Sequence, residues 1–360
     1  MMAKKILVVD DSALMRRVIC DIIDSDERFQ VVDRATNGVE ALDLLRRNQY
    51  DAVVLDVNMP RMNGLQLLEE LRKNKIPAKV MMASTDTREG AKTTLDALEL
   101  GALDFIHKPD SAVDCRMGEF KNKLLEILEV VANSRPAVFT SVNRNQESRQ
   151  TAEKVMDLAR KFSRKTSGNK IVAIASSTGG PKALQSVIPR LPGGLDAPVL
   201  LVQHMPKGFT ASLAERLNDL SQVKVKEAKE GEELQKGTVY VAMGGMHMNV
   251  NNSGGRCTIH YSDEPSREGV KPCANYMYES LSDSRFDEVV CVVMTGMGAD
   301  GTEGIKNLEA KKKVHVISQD QESCVVYGMP KSVVNAGLSD QVVPLEQLAQ
   351  EIALNIGVKA

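Results

Sequence analysis

The chain has 360 residues, 42% of them apolar and 26% charged, with a formal net charge of −2. Its length exceeds one typical hydrophobic core and predicts two or three domains. The near-neutral balance argues against the broad basic field of a nucleic-acid-binding protein, and no apolar run approaches the roughly 18 to 20 residues that span a bilayer. The start "MMAKKILVVDDS" meets two aspartates almost at once, as a first strand does and a secretory signal does not. Cys20, Cys115, Cys257, Cys273, Cys291 and Cys324 form no C-x-x-C pair, which disfavours zinc and a disulfide framework and fits reduced thiols in a cytoplasmic protein. From residue 4 to about 130, strands are predicted at "KILVVD", "FQVVDRA", "DAVVLDV", "AKVMMAS" and "ALDFIHK". Amphipathic helices separate them, from "SALMRRVICDIIDS" to a closing "NKLLEILEVVAN". Continuous apolar strands alternating with helices indicate an α/β fold with a parallel sheet covered on both faces.

Four of these strands end in polar residues: Asp10 and Asp11, Asp56, Ser84, and Lys108 before Pro109. The carboxyl ends of an open parallel sheet share one rim, where ligands bind. Three carboxylates converging there repel one another unless a cation joins them, and Mg²⁺ takes hard oxygen ligands of this kind. A lysine across the rim can neutralise a phosphoryl group, a serine hydroxyl can donate to it, and a carboxylate such as Asp56 can accept it. Any one of these residues could instead cap a helix; the ordered set points to a phosphoryl site. The segments "LVVDDSALMR", "VVLDVNMPRMNGL", "MMAS" and "GALDFIHKP" resemble response-regulator receiver domains over roughly residues 4 to 125. That resemblance implies a flavodoxin-like, doubly wound sheet of five strands, with Asp10, Asp11 and Asp56 at the metal and phosphate accepted by Asp56. It assigns Ser84 and Lys108 to sensing the phosphoryl group and puts Phe105 at the position of the aromatic switch.

A first domain is therefore expected over 1–130, and a linker over 131–169 that is rich in Ser, Asn, Gln, Lys and Arg. One helix, "TAEKVMDLARKF", is predicted inside that linker, whose basic excess reads as a solvated tether. Over 170–360 the α/β alternation resumes with strands at "KIVAIAS", "PVLLVQH", "KVKEA", "TVYVAM", "EVVCVVMTG" and "KVHVISQD". The piece "MHMNVNNSGGRCTIHY" alternates around Asn-Ser-Gly-Gly and predicts a β-hairpin.

The segment "VAIASSTGGPKAL" carries three adjacent hydroxyls, Ser176, Ser177 and Thr178, at the end of a strand. They fit neither the spacing of a Walker-type phosphate loop nor a G-x-G-x-x-G turn. Two readings remain: a helix cap, or a nucleophile. A serine nucleophile needs a base, usually oriented by a carboxylate. "LLVQHMPKGFT" places His204 just beyond the next strand, and "VVCVVMTGMGADGTEG" ends a later strand in a Gly-rich turn with Asp300. If the strands are parallel neighbours, Ser177, His204 and Asp300 meet on one rim. Gly296 and Gly298 permit a turn in which amides near Met297 point at a developing oxyanion. His107, His247, His260 and His315 are assigned to structure.

"ASSTGGPKAL", "LVQHMPKGFTASLAERL", "VMTGMGADGTEGI" and "CVVYGMPKSVV" resemble the catalytic domain of chemotaxis protein-glutamate methylesterases of the CheB type, from about Lys170 onward. The resemblance implies a Rossmann-like esterase domain with Ser177 as nucleophile, His204 as base, Asp300 as orienting carboxylate and the Met297 backbone amide in the oxyanion hole. It implies a phosphorylation-activated serine esterase, with no cofactor for the esterase reaction and Mg²⁺ for receiver phosphorylation. Its substrates would be glutamate γ-methyl esters and glutamines on methyl-accepting chemotaxis receptors, its phosphodonor a CheA-type histidine kinase, with no nucleic acid and no membrane insertion. The chain departs from the family pattern at Ala175, where Gly is usual, and at Lys271, Pro272 and Cys273, where Arg-Pro-Ser is usual; the latter three are expected at the substrate rim. A receiver-controlled module that binds a partner without turnover is the reading from another class, and a DNA-binding output lacks a helix-turn-helix or basic face.

Overall fold

The structure, a computed structural model, describes residues 2–84, 88–109, 118–134, 144–162 and 168–358. The chain divides into two compact units, Met1–Ser141 and Val142–Ala360. In the first, β1 (Lys4–Val9), β2 (Phe29–Ala35), β3 (Ala52–Asp56), β4 (Val80–Ser84) and β5 (Asp104–His107) form a sheet of order β2-β1-β3-β4-β5. Every pairing in it is parallel. The central strands β3 and β4 are buried throughout, as strands covered on both faces must be, whereas edge strand β2 alternates. The connecting helices start on polar caps: Ser12 accepts from Met15 N–H, Asn37 from Val39 and Glu40, and Asn63 forms a capping box with Gln66.

The second unit holds seven parallel strands: β6 (Lys170–Ser176), β7 (Val199–Gln203), β8 (Lys224–Glu227), β9 (Thr238–Val241), β12 (Glu288–Val293), β13 (Lys313–Gln319) and β14 (Gln341–Val343). Their order is β14-β13-β12-β6-β7-β9-β8. The chain leaves β6 toward β7 on one side, and β12 returns to pair with β6 on the other. The strand order therefore reverses at β6, the place where open α/β sheets form ligand crevices. Between β9 and β12, β10 (His247–Ser253) and β11 (Arg256–Ser262) pair antiparallel, turning through Gly254 and Gly255 at φ of 58° and 76°. Two successive positive φ values are what a tight hairpin turn demands. The hairpin contributes Met248, Val250, Cys257 and Ile259 to the same core as Ile171, Leu200 and Val293.

Both sheets are doubly wound α/β architectures, as the alternation in the sequence predicts. β14 was not foreseen: three half-exposed residues carry no periodic signal. The helix predicted inside the tether runs Arg144–Phe162, and its Val155 and Ala159 pack on Ala353 of the helix Leu348–Ile356. Of the rest of the predicted linker, 135–143 and 163–167 lie outside the described residues, as does Cys115. Among the described residues no helix is long and apolar enough to cross a membrane.

Candidate active site

Ser177, His204 and Asp300 follow β6, β7 and β12, three adjacent strands at the reversal of strand order. The β6–β7 register pairs Ser176 with Gln203, so Ser177 and His204 are the first residues off two neighbouring strands. His204 N–H donates to Ser176 O at 3.0 Å, and Ser177 N–H donates to Thr295 O at 3.0 Å. Those bonds tie the serine turn to the histidine turn and to the Gly-rich turn after β12. Ser177 is half-buried between buried Ser176 and Thr178, so it is the hydroxyl of the three that faces outward. Gly179 takes φ of 76° ahead of the helix Gly180–Val187, and a Cβ there would stand 2.6 Å from Val325 Cβ. The turn admits glycine and little else.

His204 Nε2 lies 2.7 Å from Asp300 Oδ2. This is the reverse of the usual serine-protease ring, in which Nδ1 holds the acid and Nε2 faces the serine. With Nε2 engaged, Nδ1 is the nitrogen left to take a proton. Among the described residues Ser177 Oγ makes no hydrogen bond. Such bonds are often long in unliganded sites and tighten with substrate.

Asp300 is buried, and four donors converge on it. Besides His204, Ala274 N–H donates to Oδ2 at 2.6 Å, Asn275 N–H to Oδ1 at 2.9 Å, and Cys273 Sγ to Oδ1 at 3.0 Å. The carboxylate thus caps the helix Ala274–Ser280, whose own N-cap residue Cys273 offers no side-chain bond to it. Burial works against the charge, but the donors from His204, Cys273 and Ala274 outweigh it and hold the carboxyl below its ordinary range. Burial pushes the Cys273 thiol up, and the Asp300 charge adds to this, so the thiol stays a neutral donor.

Cys273 corrects the sequence-based expectation. It is fully buried behind Asp300, not at a substrate rim, because the chain entering the helix Ala274–Ser280 must present its free N–H groups to an acceptor. Asn275 was missed as well. Its Oδ1 accepts from Gly301 and Gly304 N–H at 3.0 and 2.6 Å, pinning the segment that follows Asp300. Ala175 is buried in the core within β6, away from the turn itself.

The Gly-rich turn is pressed against the serine: a Cβ on Gly296 would lie 2.8 Å from Ser177 Cβ. Gly298 takes φ of 75°, and between them the Met297 N–H has no protein acceptor among the described residues. An unpaired amide beside a serine hydroxyl is a donor for negative charge that develops during reaction. His247 is fully buried with both nitrogens used, Nδ1 accepting from Cys273 N–H at 3.2 Å and Nε2 meeting Pro265 O at 3.3 Å. His260 pairs with Glu230, and His315 with Gln341. His107 lies on β5.

In the first unit, ligand oxygens of Asp10, Asp11 and Asp56 all lie within 4.8 Å of one another. Lys108 Nζ reaches Asp56 Oδ1 at 2.7 Å and Asp10 Oδ2 at 3.1 Å, and all three groups are buried while Asp11 is exposed. Three carboxylates against one ammonium leave two negative charges, which a divalent cation with hard oxygen preference fits. Burial raises Asp56 against the pull of Lys108. Burial likewise opposes the charge on Lys108, but Asp56 and Asp10 outweigh it and raise that group. Ser84 is buried at the end of β4, and its carbonyl accepts from Lys108 N–H at 2.7 Å. Phe105 is buried on β5, in register with Met82.

Residues 172–352 match the family described as CheB methylesterase, and residues 6–116 match the response regulator receiver domain. A protein-glutamate methylesterase/protein-glutamine glutaminase of Syntrophomonas wolfei is 41% identical over 353 residues, covering 97% of this chain and 98% of that protein. The protein of the same description from Bacillus subtilis is 42% identical over 351 residues, covering 97% of each. The crystal structure of the Thermotoga maritima CheB methylesterase catalytic domain is 40% identical with a TM-score of 0.50, covering 51% of this chain and 97% of that one.

Proposed function

The chain belongs to the CheB methylesterase family and carries a receiver domain ahead of the esterase, and from that premise we propose a phosphorylation-activated protein-glutamate methylesterase and protein-glutamine glutaminase that uses Ser177, His204 and Asp300. The observation that carries the reading is the 2.7 Å pair between His204 Nε2 and Asp300 Oδ2, one strand from the outward-facing Ser177. Ser177 Oγ attacks the ester carbonyl as His204 Nδ1 takes its proton. Asp300 holds the imidazole and stabilises the imidazolium. The Met297 N–H supports the oxyanion. The imidazolium then protonates the departing methanol, and water, deprotonated by the same ring, releases glutamate and regenerates the serine. With glutamine the departing group is ammonia.

The substrates are methyl-accepting chemotaxis receptors, and the phosphodonor is a CheA-type histidine kinase, so the enzyme acts in the cytoplasm. Asp56 accepts the phosphoryl group. Asp10, Asp11 and Asp56 would hold Mg²⁺, which would supply charge neutralisation there. Ser84 and Lys108 read the phosphoryl group and Phe105 relays it. The domain limits 1–130, 131–169 and 170–360 belong to the same proposal. Ser177→Ala is expected to abolish methanol release from methylated receptor membranes by at least about 10³-fold while the protein stays folded; release near the original rate in that variant refutes the assignment.

A further inference from the structure

Ser176 and Gln203 end β6 and β7, and both are sealed from solvent, at 0% and 1% exposure. Neither takes part in the chemistry above, yet they join the two segments that carry it. Ser176 Oγ donates to Gln203 Oε1 at 2.7 Å. The two backbone carbonyls on its other side decide which way the amide faces, because a carboxamide turned by half a rotation would set its oxygen against groups that can only accept. So oriented, Gln203 Nε2 donates to Ser177 O at 2.9 Å and to His204 O at 3.2 Å. One side-chain amide therefore holds the carbonyl of the proposed nucleophile and the carbonyl of the proposed base.

The backbone is shaped to admit this amide. A Cβ on Gly180 would stand 2.0 Å from Gln203 Oε1 and 3.0 Å from Ser176 Cβ, so only glycine leaves the space. His204 N–H returns a bond to Ser176 O at 3.0 Å, which closes the connection in the opposite direction. Rotation of either peptide plane would swing the adjoining side chain, and displacement of a reacting group by about 1 Å can cost on the order of 100-fold in rate.

We propose that Ser176 and Gln203 are positioning residues, a buried clip that sets how Ser177 Oγ and the His204 imidazole face each other; this rests on the triad reading above. The competing account is that the two side chains only satisfy polar groups at strand ends, in which case their loss weakens the fold but leaves the folded enzyme's turnover alone.

The test uses the full-length protein, with methanol release from methylated receptor membranes and the labelling rate of a fluorophosphonate serine probe as readouts. Ser176→Ala is the mild variant, since it removes one hydroxyl and leaves the strand intact. Gln203→Glu keeps the shape and the bond from Ser176 but removes both donors. We expect kcat and probe labelling to fall about 10-fold in the first and about 100-fold in the second, with KM held within about twofold. Ser176→Thr, which keeps the hydroxyl, restores turnover, and the double variant is no slower than Gln203→Glu alone, as two members of one unit require. Folded Ser176→Ala and Gln203→Glu proteins that turn over and label at the original rate overturn the clip and leave the triad standing. A Ser177→Ala protein that still releases methanol overturns the triad reading, and the clip with it.

Discussion

Asp300 anchors more than an imidazole. Its two oxygens take a ring nitrogen, a thiol and two helix N–H groups, so the acid of the proposed triad is also the cap of the helix Ala274–Ser280. This double use ties local stability to charge. The carboxyl is depressed in the folded protein because its donors outweigh burial. A depressed carboxyl contributes stability that is present above its unfolded value, near 4, and is lost as pH falls through the folded value. The wild-type protein should therefore lose part of its thermal stability only on acidification below about pH 4, where this group takes up its proton. Asp300→Asn should blunt that acid loss and lower kcat by about 10³- to 10⁴-fold, since an amide cannot accept from every donor and favours the wrong tautomer of His204. Melting curves from pH 3 to 7 and methanol-release rates check both; an unchanged acid limb or an unchanged kcat contradicts the double role.

At the scale of elements, the strand-break-polar-helix pattern made the fold and the meeting of His204 with Asp300 legible, because continuous apolar strands fix a parallel sheet and the sheet puts their ends on one rim. The hairpin was legible from its alternation and its paired glycines. What surrounds the triad was not. Cys273 and Asn275 lie some 25 residues before Asp300 in the chain, and their contacts depend on where one short helix starts, which no periodicity specifies. Gln203 reads as one more strand residue until its amide is seen between Ser177 and His204. The tether helix gave a polar, weakly periodic signal with no sign of what its few apolar residues cover. In the structure Ala152, Val155 and Ala159 are buried, and Val155 and Ala159 meet Ala353. Burying those side chains takes about five carbons out of water, worth roughly 4 kcal/mol at about 0.8 kcal/mol per methylene. A fragment beginning at residue 142 should therefore melt about 8 to 16 °C above one beginning at 168. Calorimetry of the two checks this, and equal melting temperatures would show that the helix adds nothing to the esterase fold.

Across the whole molecule, two parallel sheets each gather polar and titratable groups at the carboxyl ends of their strands, and the chemistry proposed for the two sites is unrelated. In the first, the charge balance among Asp10, Asp11, Asp56 and Lys108 is the quantity that the proposed phosphorylation would change. With Asp56 as acceptor, its carboxylate of −1 becomes an acyl phosphate of about −1.5 to −2, a bulkier anion where Lys108 now serves Asp56 and Asp10 together. Lys108 and Ser84 must then redistribute their bonds, and a ligand can shift an equilibrium only through such a difference between states. If that difference gates the esterase, a small phosphodonor with Mg²⁺ should raise methanol release by the full-length protein. Asp56→Asn should not respond to it, and removing Mg²⁺ should abolish the response without changing the basal rate. A fragment beginning at residue 142 retains the proposed triad and the helix packed on Leu348–Ile356 while lacking the receiver, so it should run above the basal rate of the unphosphorylated chain with no phosphodonor at all. Equal rates for fragment and whole chain would mean that the receiver does not restrain the esterase. A phosphodonor response that survives in Asp56→Asn would move the phosphoryl site elsewhere.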